Sequence, residues 1–246
     1  MEAAAPGSGH QAGRAGTTAR QRARAEITGE IKDEARRQLA ATGAQLSLRA
    51  VARELGMVSS ALYRYFPSRD DLLTALIIDA YDDLATAAEK ADATAAGRPG
   101  ATARDRWRAC CHAIRDWARA FPHEYALIYG SPVPGYHAPQ DTVAHAARVA
   151  GVLGALLEGA RDAGPAAGAG PGLPGELAAQ AEIVAAAVAP GVPPAVAARG
   201  LIAWTQLFGM VSFELFGQLV GTADPADDFF GYAIDQMAGL VGLPPA

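Results

Sequence analysis

The spacing of apolar residues along the chain predicts helices almost throughout. Between positions 48 and 55 they recur at intervals of three and four, which places them on one face of a short helix. Ser47 precedes this face, where its hydroxyl can accept a hydrogen bond from a free backbone N–H of the first turn. Gly56 follows it and can adopt the left-handed conformation that ends many helices. The pattern therefore predicts a capped helix that ends near Leu55.

A second short helix is predicted directly after this glycine, from about Val58 to Tyr65. Leu62 and Phe66 can face inward on it, and Pro67 ends it. Helix, glycine turn and helix together have the spacing of a helix-turn-helix, although ordinary solvated helix hairpins share that spacing. The outward face of the second helix carries hydroxyl, phenol and guanidinium groups, which bind phosphate oxygens and base edges: Ser59, Ser60, Tyr63 and Arg64.

Longer apolar repeats predict helices on both sides of this pair. A first helix is expected from about Arg20 to Thr42, and a fourth from Ser68 to about Ala91. Residues 1–19 are rich in Gly, Ala and Ser and are expected to form a disordered arm. Arg14, Arg20, Arg22 and Arg24 form a sparse basic segment there and at the start of the first helix, either a solvated tail or a DNA contact. Glycine- and proline-rich breaks then separate further predicted helices, at about 107–121, 125–129, 143–160, 177–189, 194–220 and 224–241.

Composition supports an all-α fold. Half of the 246 residues are hydrophobic but only 7% are aromatic, and alanine, the best helix former, supplies much of the remainder. We predict an N-terminal three-helix helix-turn-helix domain over residues 20–67 and a larger helical domain over residues 68–246, with about nine helices.

Charge is unevenly divided along the chain. Residues 1–71 hold 11 of the 21 Lys and Arg and 8 of the 26 Asp and Glu, a net charge of +3. Residues 72–246 hold 10 and 18, a net charge of −8. A mildly basic N-terminal part on an acidic body fits a protein with one DNA-facing end, although solvated surface charge gives the same counts.

Three features predict a cytoplasmic protein. The N-terminus lacks the apolar core of a signal sequence, and the two cysteines, Cys110 and Cys111, are adjacent and cannot form a disulfide framework. The apolar run over residues 201–220 contains Glu214 near its middle, which a bilayer would disfavour. We expect this run to be a buried helix, and we expect no membrane partner.

Candidate chemistry for catalysis or metal binding is weak. Neighbouring residues on a helix diverge by about 100°, so Cys110, Cys111 and His112 cannot converge on one ion. No set of nucleophile, base and orienting group stands out among Ser, His and Asp. We therefore predict no enzyme, no catalytic residues, no metal and no cofactor.

The helix-turn-helix region resembles a known family. The run L-Y-R-Y-F-P-S-R-D-D-L-L from Leu62 to Leu73, and the lead-in S-L-R-A-V-A-R-E-L-G, are similar to the DNA-binding domain of the TetR family of bacterial transcription regulators. Arg69 stands where that family usually has Lys. The run W-T-Q-L-F-G from Trp204 resembles one subgroup's signature of Trp followed by His-Gly, with Phe208 in place of the His. The resemblance is close over about 24–90 and looser elsewhere.

The resemblance implies a dimer that binds a near-palindromic stretch of double-stranded DNA through its third helices. By position, Ser59, Ser60 and Tyr63 correspond to residues that face bases and phosphates. Four further residues correspond to positions that grip the DNA backbone: Ser47, Arg49, Tyr65 and Arg69. A repressor is expected, and an activator is the alternative sign of regulation.

The resemblance also implies that the larger domain binds a small apolar or amphipathic ligand and pairs with a second copy through its last two helices. Aromatic and neighbouring residues are the expected pocket lining, although such residues are also common in cores: Trp107, Cys111, Ile114, Phe121, Tyr125, Tyr129, Trp204 and Phe208. The expected dimer interface comprises Leu201, Val211, Leu215, Leu219, Phe230, Ile234 and Met237.

Two other classes of protein remain open from the sequence. A helical sensor that binds small molecules without regulating DNA would keep the same fold, and Arg49 and Arg69 argue weakly against it. A helical enzyme would need converging acid and base groups, which the sequence does not display.

Overall fold

The computed structural model describes residues 9–42, 46–160 and 172–245. Within those ranges all regular secondary structure is helical, which confirms the predicted all-α class. The chain divides into two compact units, Met1–Leu76 and Ile77–Ala246. The boundary between the two units thus follows Leu76, inside a helix, whereas the sequence analysis placed the domain boundary after Pro67.

The N-terminal unit contains α1 (Gly9–Thr42), α2 (Leu48–Glu54), α3 (Ser59–Leu62) and the start of α4 (Arg69–Ala96). Helix α2 packs on both α1 and α3. Most residues that the apolar spacing predicts to face inward are buried: Ile31, Ala35, Leu39, Leu48, Val51, Ala52, Leu62 and Phe66. Ile27, Leu55 and Ala61, predicted on the same faces, are half-buried. Burial of this shared face, rather than the intrinsic stability of such short helices, holds α2 and α3 in place.

Two helix boundaries in this unit differ from the prediction. Helix α1 begins at Gly9 instead of Arg20, so the predicted disordered arm is helical over residues 9–19, while residues 1–8 lie outside the described residues. No proline interrupts residues 9–42, and Ala, Arg and Gln favour continuation of the helix. Helix α3 ends at Leu62 instead of Tyr65. The next N–H groups bond to carbonyls only three residues back, Arg64 to Ala61 and Tyr65 to Leu62, which is the tighter 3₁₀ pattern.

In the part of the chain that the structure describes, the C-terminal unit contains the rest of α4 and six further α-helices. They are α5 (Ala103–Ala120), α6 (Pro122–Tyr129), α7 (Asp141–Leu156), α8 (Gly175–Val188), α9 (Pro194–Leu215) and α10 (Asp227–Val241), with a 3₁₀ helix over Leu157–Ala160 after α7. The described residues thus give the larger domain seven α-helices and one 3₁₀ helix, where about nine were predicted. Helix α9 contacts α5, α6, α8 and α10, and its inner face is part of one apolar core.

The last two helices are shorter than the sequence predicted. Helix α9 ends at Leu215, not near Val220, and Gly217 follows with a φ of +79°, a conformation that favours glycine. Leu219 therefore lies in the turn after the helix. Helix α10 begins at Asp227, so Ala226 rather than Asp224 occupies the position before its first turn. Asp227 and Asp228 lie in that first turn, where the helix dipole favours negative charge.

Arg115 of α5 joins α5 to both of the last two helices. Its side chain is only 3% exposed, and its Nε and Nη2 donate to the two oxygens of Glu214 at 2.6 and 2.7 Å. Its Nη1 donates to Asp227 at 2.9 Å, and the guanidinium lies 4.7 Å from the centre of the Phe230 ring. A bidentate pair of this kind fixes orientation as well as charge, so Arg115 sets the position of the turn between α9 and α10.

Two stretches have the length and composition of membrane spans, Asp141–Ala160 and Pro194–Leu215. Both belong to the C-terminal unit, and 33% and 44% of their most apolar windows are buried within it. Core helices of folded proteins pass the same test, so these stretches are weak evidence for membrane insertion.

Candidate DNA-binding surface and ligand cavity

The outward face of α3 has the side chains that the sequence placed there. Leu62 is buried, while Ser59, Ser60 and Tyr63 are exposed, Tyr63 to 42%. The tight turn after Leu62 keeps Tyr63 adjacent to the exposed serines because its N–H still bonds to Ser59 O at 3.2 Å. Two hydroxyls and a phenol therefore lie together on a short segment, where they can donate to or accept from base edges and phosphates.

The start of α2 adds a second polar element to this unit. The Ser47 hydroxyl accepts a hydrogen bond from Ala50 N–H at 3.4 Å, which confirms the predicted N-cap. Arg49 is exposed in the first turn of the same helix. An exposed guanidinium beside the backbone N–H groups of a helix start is suited to a phosphate.

Tyr65 and Arg69, also expected to contact the DNA backbone, take part in contacts within the protein. The Tyr65 ring lies 5.1 Å from the guanidinium of Arg24, whose Nη2 donates to Arg64 O at 3.2 Å. Arg69 Nε donates to Leu46 O at 3.2 Å. These contacts fasten the turn after α3 and the start of α4 to neighbouring segments. The role of Arg24 was missed, because its partners lie 40 residues away in the sequence.

The C-terminal unit contains a cavity of about 360 Å³ with walls on α5, α7, α8 and α9. Its lining residues are all Ala, Gly, Val, Leu, Ile or Trp: Trp107, Ala147, Ala150, Leu153, Gly154, Leu157, Ile183, Val184, Ala187, Val188, Ala189, Ala197, Gly200, Leu201 and Trp204. The volume and the apolar walls fall in the usual range for small-molecule sites.

Of the eight residues expected to line a ligand pocket, Trp107 and Trp204 line this cavity and the other six do not. Cys111, Ile114 and Tyr125 are fully buried in the core, and Phe121 is 47% exposed. Tyr129 and Phe208 stack on each other with ring centres 4.2 Å apart. Large side chains fill space, so the cavity lies beside the small residues of α7, α8 and α9. These small residues recur at intervals of three and four, as at Ala147, Ala150 and Gly154. That spacing was the sequence signal that could have identified them as cavity-lining residues.

Phe208 and Tyr129 belong to a larger aromatic cluster beside the cavity. Trp204 lies 4.5 Å from Phe208, and Tyr129 lies 5.3 Å from Tyr125 and 6.1 Å from Tyr81, all measured between ring centres. The Tyr125 hydroxyl donates to Phe208 O at 2.8 Å, and burial raises the pKa of Tyr125 to about 12. The phenol is therefore neutral near pH 7, and its hydrogen bond joins α6 to α9.

The adjacent cysteines are buried in the same core. Burial raises the pKa of the Cys110 thiol to about 12 and raises the pKa of Cys111 well above its ordinary value. Because the thiolate is the reactive form, both residues act as small apolar side chains.

Four of the seven dimer residues expected from the sequence are not accessible on the single chain. Val211, Phe230, Ile234 and Met237 are buried within the single chain, and Leu201 lines the cavity. Leu215 and Leu219 are half-buried. The strongest apolar stripes of α9 and α10 face their own core. A second set of apolar residues on these helices and the turn after α9 is exposed: Ile202, Phe213, Phe216, Phe229, Tyr232 and Leu240.

The fold and sites define a class of protein: a helix-turn-helix unit followed by a helical unit with an apolar cavity. Comparison with known families agrees in both parts. Residues 31–76 match the family described as bacterial regulatory proteins, tetR family. Residues 107–237 match the tetracyclin repressor-like C-terminal domain.

Individual relatives point the same way. The HTH-type transcriptional regulators Rv1816 of Mycobacterium tuberculosis and Mb1846 of Mycobacterium bovis are each 40% identical over 206 residues, which cover 81% of this chain and 85% of the relative. Among solved structures, the regulatory protein SCO4313 is similar with 34% identity and a TM-score of 0.74, over 89% of this chain and 98% of that one. A TetR family transcriptional regulator of Thermus thermophilus, PfmR, shares the fold with a TM-score of 0.52 at 20% identity, over 87% of this chain and 99% of that one.

The chain belongs to the TetR family of transcription regulators. It has the family's helix-turn-helix DNA-binding domain and its C-terminal ligand-binding domain. This confirms the resemblance and the general function predicted from the sequence.

Proposed function

We propose that this protein is a cytoplasmic repressor that binds a near-palindromic operator as a homodimer and leaves it when a small apolar or amphipathic ligand occupies the C-terminal unit. The observation that carries the DNA-binding part is the exposed group Ser59, Ser60 and Tyr63 on α3, in a unit that matches the family's DNA-binding domain. Helix-turn-helix dimers insert such helices into successive major grooves.

Replacing Tyr63 by alanine tests the DNA contact. Because the Tyr63 side chain is exposed, the variant should stay folded while its affinity for DNA from upstream of its own gene falls. We expect a loss of about 1–3 kcal/mol, roughly 5- to 150-fold in Kd, measured by gel shift at fixed salt.

Tyr136→Ala, in the loop between α6 and α7, is the matched control and should leave that Kd unchanged. An unaltered Kd for Tyr63→Ala would place the DNA contact elsewhere. No DNA binding by the unmodified protein, with ligand binding retained, would favour the alternative of a small-molecule sensor without DNA regulation.

Helix α7 supports the proposal that ligand binding is communicated to α4. One face of α7 lines the cavity, and another carries His145 and Arg148, which face α4. Arg148 bonds to both oxygens of Glu89 at 2.7 and 2.6 Å and to Asp82 at 3.2 Å, and His145 Nδ1 lies 2.9 Å from the same Asp82. The hydrogen bond from Arg148 holds the pKa of Glu89 below its ordinary value.

A movement of α7 around a ligand would therefore displace α4, the helix that continues from the DNA-binding unit. Coupling of this kind requires that the ligand favour one of two arrangements of the helices. The ion pairs between α4 and α7 are the contacts that would transmit the preference.

Replacing Arg148 by methionine should uncouple the two events. The variant keeps an unbranched stem but loses both ion pairs of Arg148 and leaves only His145 in contact with Asp82, so α4 follows α7 much less closely. We expect the separate Kd values for operator and for an apolar probe such as decan-1-ol to stay within about twofold. The ratio of the operator Kd with the probe to that without it is typically about 5- to 150-fold in coupled systems. In this variant that ratio should approach one.

Fluorescence anisotropy of labelled operator, with and without the probe, measures this ratio. Arg119→Met is the control, since Arg119 lies near Glu214 and Asp227 instead of α4. Full release of the operator from the Arg148→Met protein would contradict a role for these pairs.

A further inference from the structure

The cavity offers no partner for a charged ligand. None of its lining residues carries a charged side chain, and the only polar side-chain groups among them are the two indole N–H groups. That of Trp107 is already donated to Ile234 O at 2.9 Å. An ammonium placed against these walls would lose hydration and find no side-chain acceptor, and a carboxylate would find at most one neutral donor, the Trp204 indole N–H.

The cavity is also held open by close helix contacts at its edge. A Cβ added at Gly154 of α7 would lie 2.1 Å from the Val188 carbonyl oxygen of α8, so the two backbones are in direct contact there. A Cβ at Gly200 of α9 would lie 2.6 Å from Leu157 Cδ1. The backbones of α7 and α8 thus already touch at Gly154, and the Leu157 side chain abuts α9 at Gly200, which leaves these helices little room to close over the space beside their alanines.

Two exposed apolar residues lie at the rim of the space. Ile183 of α8 is 71% exposed and Leu201 of α9 is 45% exposed, although both line the cavity. Their positions indicate that the cavity opens to solvent between α8 and α9. A ligand can thus enter without unfolding the core, with its apolar body against Trp107 and Trp204.

We propose that this cavity is the effector site and that it selects an uncharged ligand of mainly hydrocarbon character, entering between Ile183 and Leu201. The inference rests on the proposed function for what the ligand does to operator binding. The binding itself can be measured without DNA, so the two can fail separately.

The test compares decan-1-ol, decanoate and decylammonium, which share one chain and differ in charge, with the full-length protein at pH 7. Trp fluorescence and thermal unfolding report binding. We expect decan-1-ol to raise Tm by about 5–10 °C at a hundredfold excess over its Kd. The two ions should bind at least about tenfold more weakly, because burial of the charge lacks a partner.

Filling the cavity locates the site. Ala187→Phe places a ring into the space from α8 and should weaken decan-1-ol binding at least about tenfold. Ala186→Phe is the matched control, since Ala186 is exposed on the same helix and does not line the cavity. Ala147→Phe repeats the test from α7, should Ala187→Phe not fold.

Several outcomes would overturn the inference. Equal or tighter binding of either ion would show that the site supplies a counter-charge. Unchanged binding in both cavity-filling variants would place the ligand elsewhere. Dissociation of a dimer by Ala187→Phe, with decan-1-ol binding intact, would make this opening an interface between copies. Decan-1-ol binding by a protein that binds no operator would count against the proposed function and leave the cavity assignment standing.

Discussion

Replacing Arg115 by alanine is expected to lower the free energy of unfolding by about 3–5 kcal/mol, a fall in Tm of roughly 6–20 °C. The guanidinium is buried between α5 and the turn that joins α9 to α10, where it satisfies both oxygens of Glu214 and one of Asp227. Removing it leaves the Glu214 carboxylate, which is only 17% exposed, without its main partner. Thermal and urea unfolding followed by circular dichroism measure the loss.

The chain provides a matched control for this change. Arg119 is one turn later on α5 and lies 3.8 and 3.7 Å from the same two carboxylates, but it is 50% exposed. Arg119→Ala should cost less than about 1 kcal/mol, as exposed pairs generally do. The double change Arg115→Met with Glu214→Leu should recover much of the loss, because no buried charge is then left without a partner.

The Arg115 contact also has an expected pH dependence. The hydrogen bond from Arg115 lowers the pKa of Asp227 in the folded protein. A lowered carboxyl pKa contributes stability that is present above the ordinary aspartate range and is lost as pH falls through the lowered value. The difference in stability between the unmodified protein and Arg115→Ala should therefore be constant near neutral pH and shrink on acidification. A stability difference that grows in acid would contradict this account.

Arg115 illustrates what the sequence could not predict. Spacing identifies which residues share a helix face, and on that basis the cap at Ser47, the inward Leu62 and the outward Tyr63 were all predicted correctly. Spacing does not identify which helices pack together. Glu214 lies 99 residues from Arg115, and their contact depends on how α9 crosses α5.

Most of the residues expected to line a pocket do not line this cavity, for a related reason. Aromatic residues suggested a pocket, but Tyr125 and Ile114 have the size and apolar surface that a core requires, and they fill it. Empty space forms where small side chains meet, and residues such as Ala187 and Ala197 look in the sequence like ordinary helix formers. The apolar pattern predicted the helices of this domain, whereas the relative sizes of facing side chains determine where they leave room.

The same distinction applies to the two C-terminal helices, whose most regular apolar stripe is internal. Phe230 and Ile234 are buried in the core of their own chain. The exposed stripe on α9 comprises Ile202, Gln206 and Phe213, at intervals of four and seven. A matching stripe on α10 comprises Phe229, Tyr232, Gln236 and Leu240. Large apolar side chains exposed on both helices, interrupted here by Gln206 and Gln236, are typical of protein–protein contacts, and we propose that these stripes pair with their copies in a dimer.

Replacing Phe213 by aspartate should therefore separate the dimer and weaken operator binding by about 10²–10⁴-fold. Phe213 is 55% exposed in the single chain, so the carboxylate is solvated in a monomer but is buried without a partner when two copies pair. Each N-terminal unit keeps Ser59, Ser60 and Tyr63, but binding of the second half-site is no longer intramolecular. Affinity for a single half-site should consequently change little. Affinity for the full operator should fall until it nearly equals the half-site affinity.

Analytical ultracentrifugation and anisotropy with full and half operators distinguish these effects. Val143→Asp is the matched control: Val143 is 53% exposed on α7, away from both stripes, and its replacement should alter neither mass nor affinity. Equal loss on half and full operators would indicate damage to the DNA-binding unit instead. A Phe213→Asp protein that still sediments as a dimer would show that the two stripes are not the interface, because an aspartate buried there without a partner would be strongly destabilising.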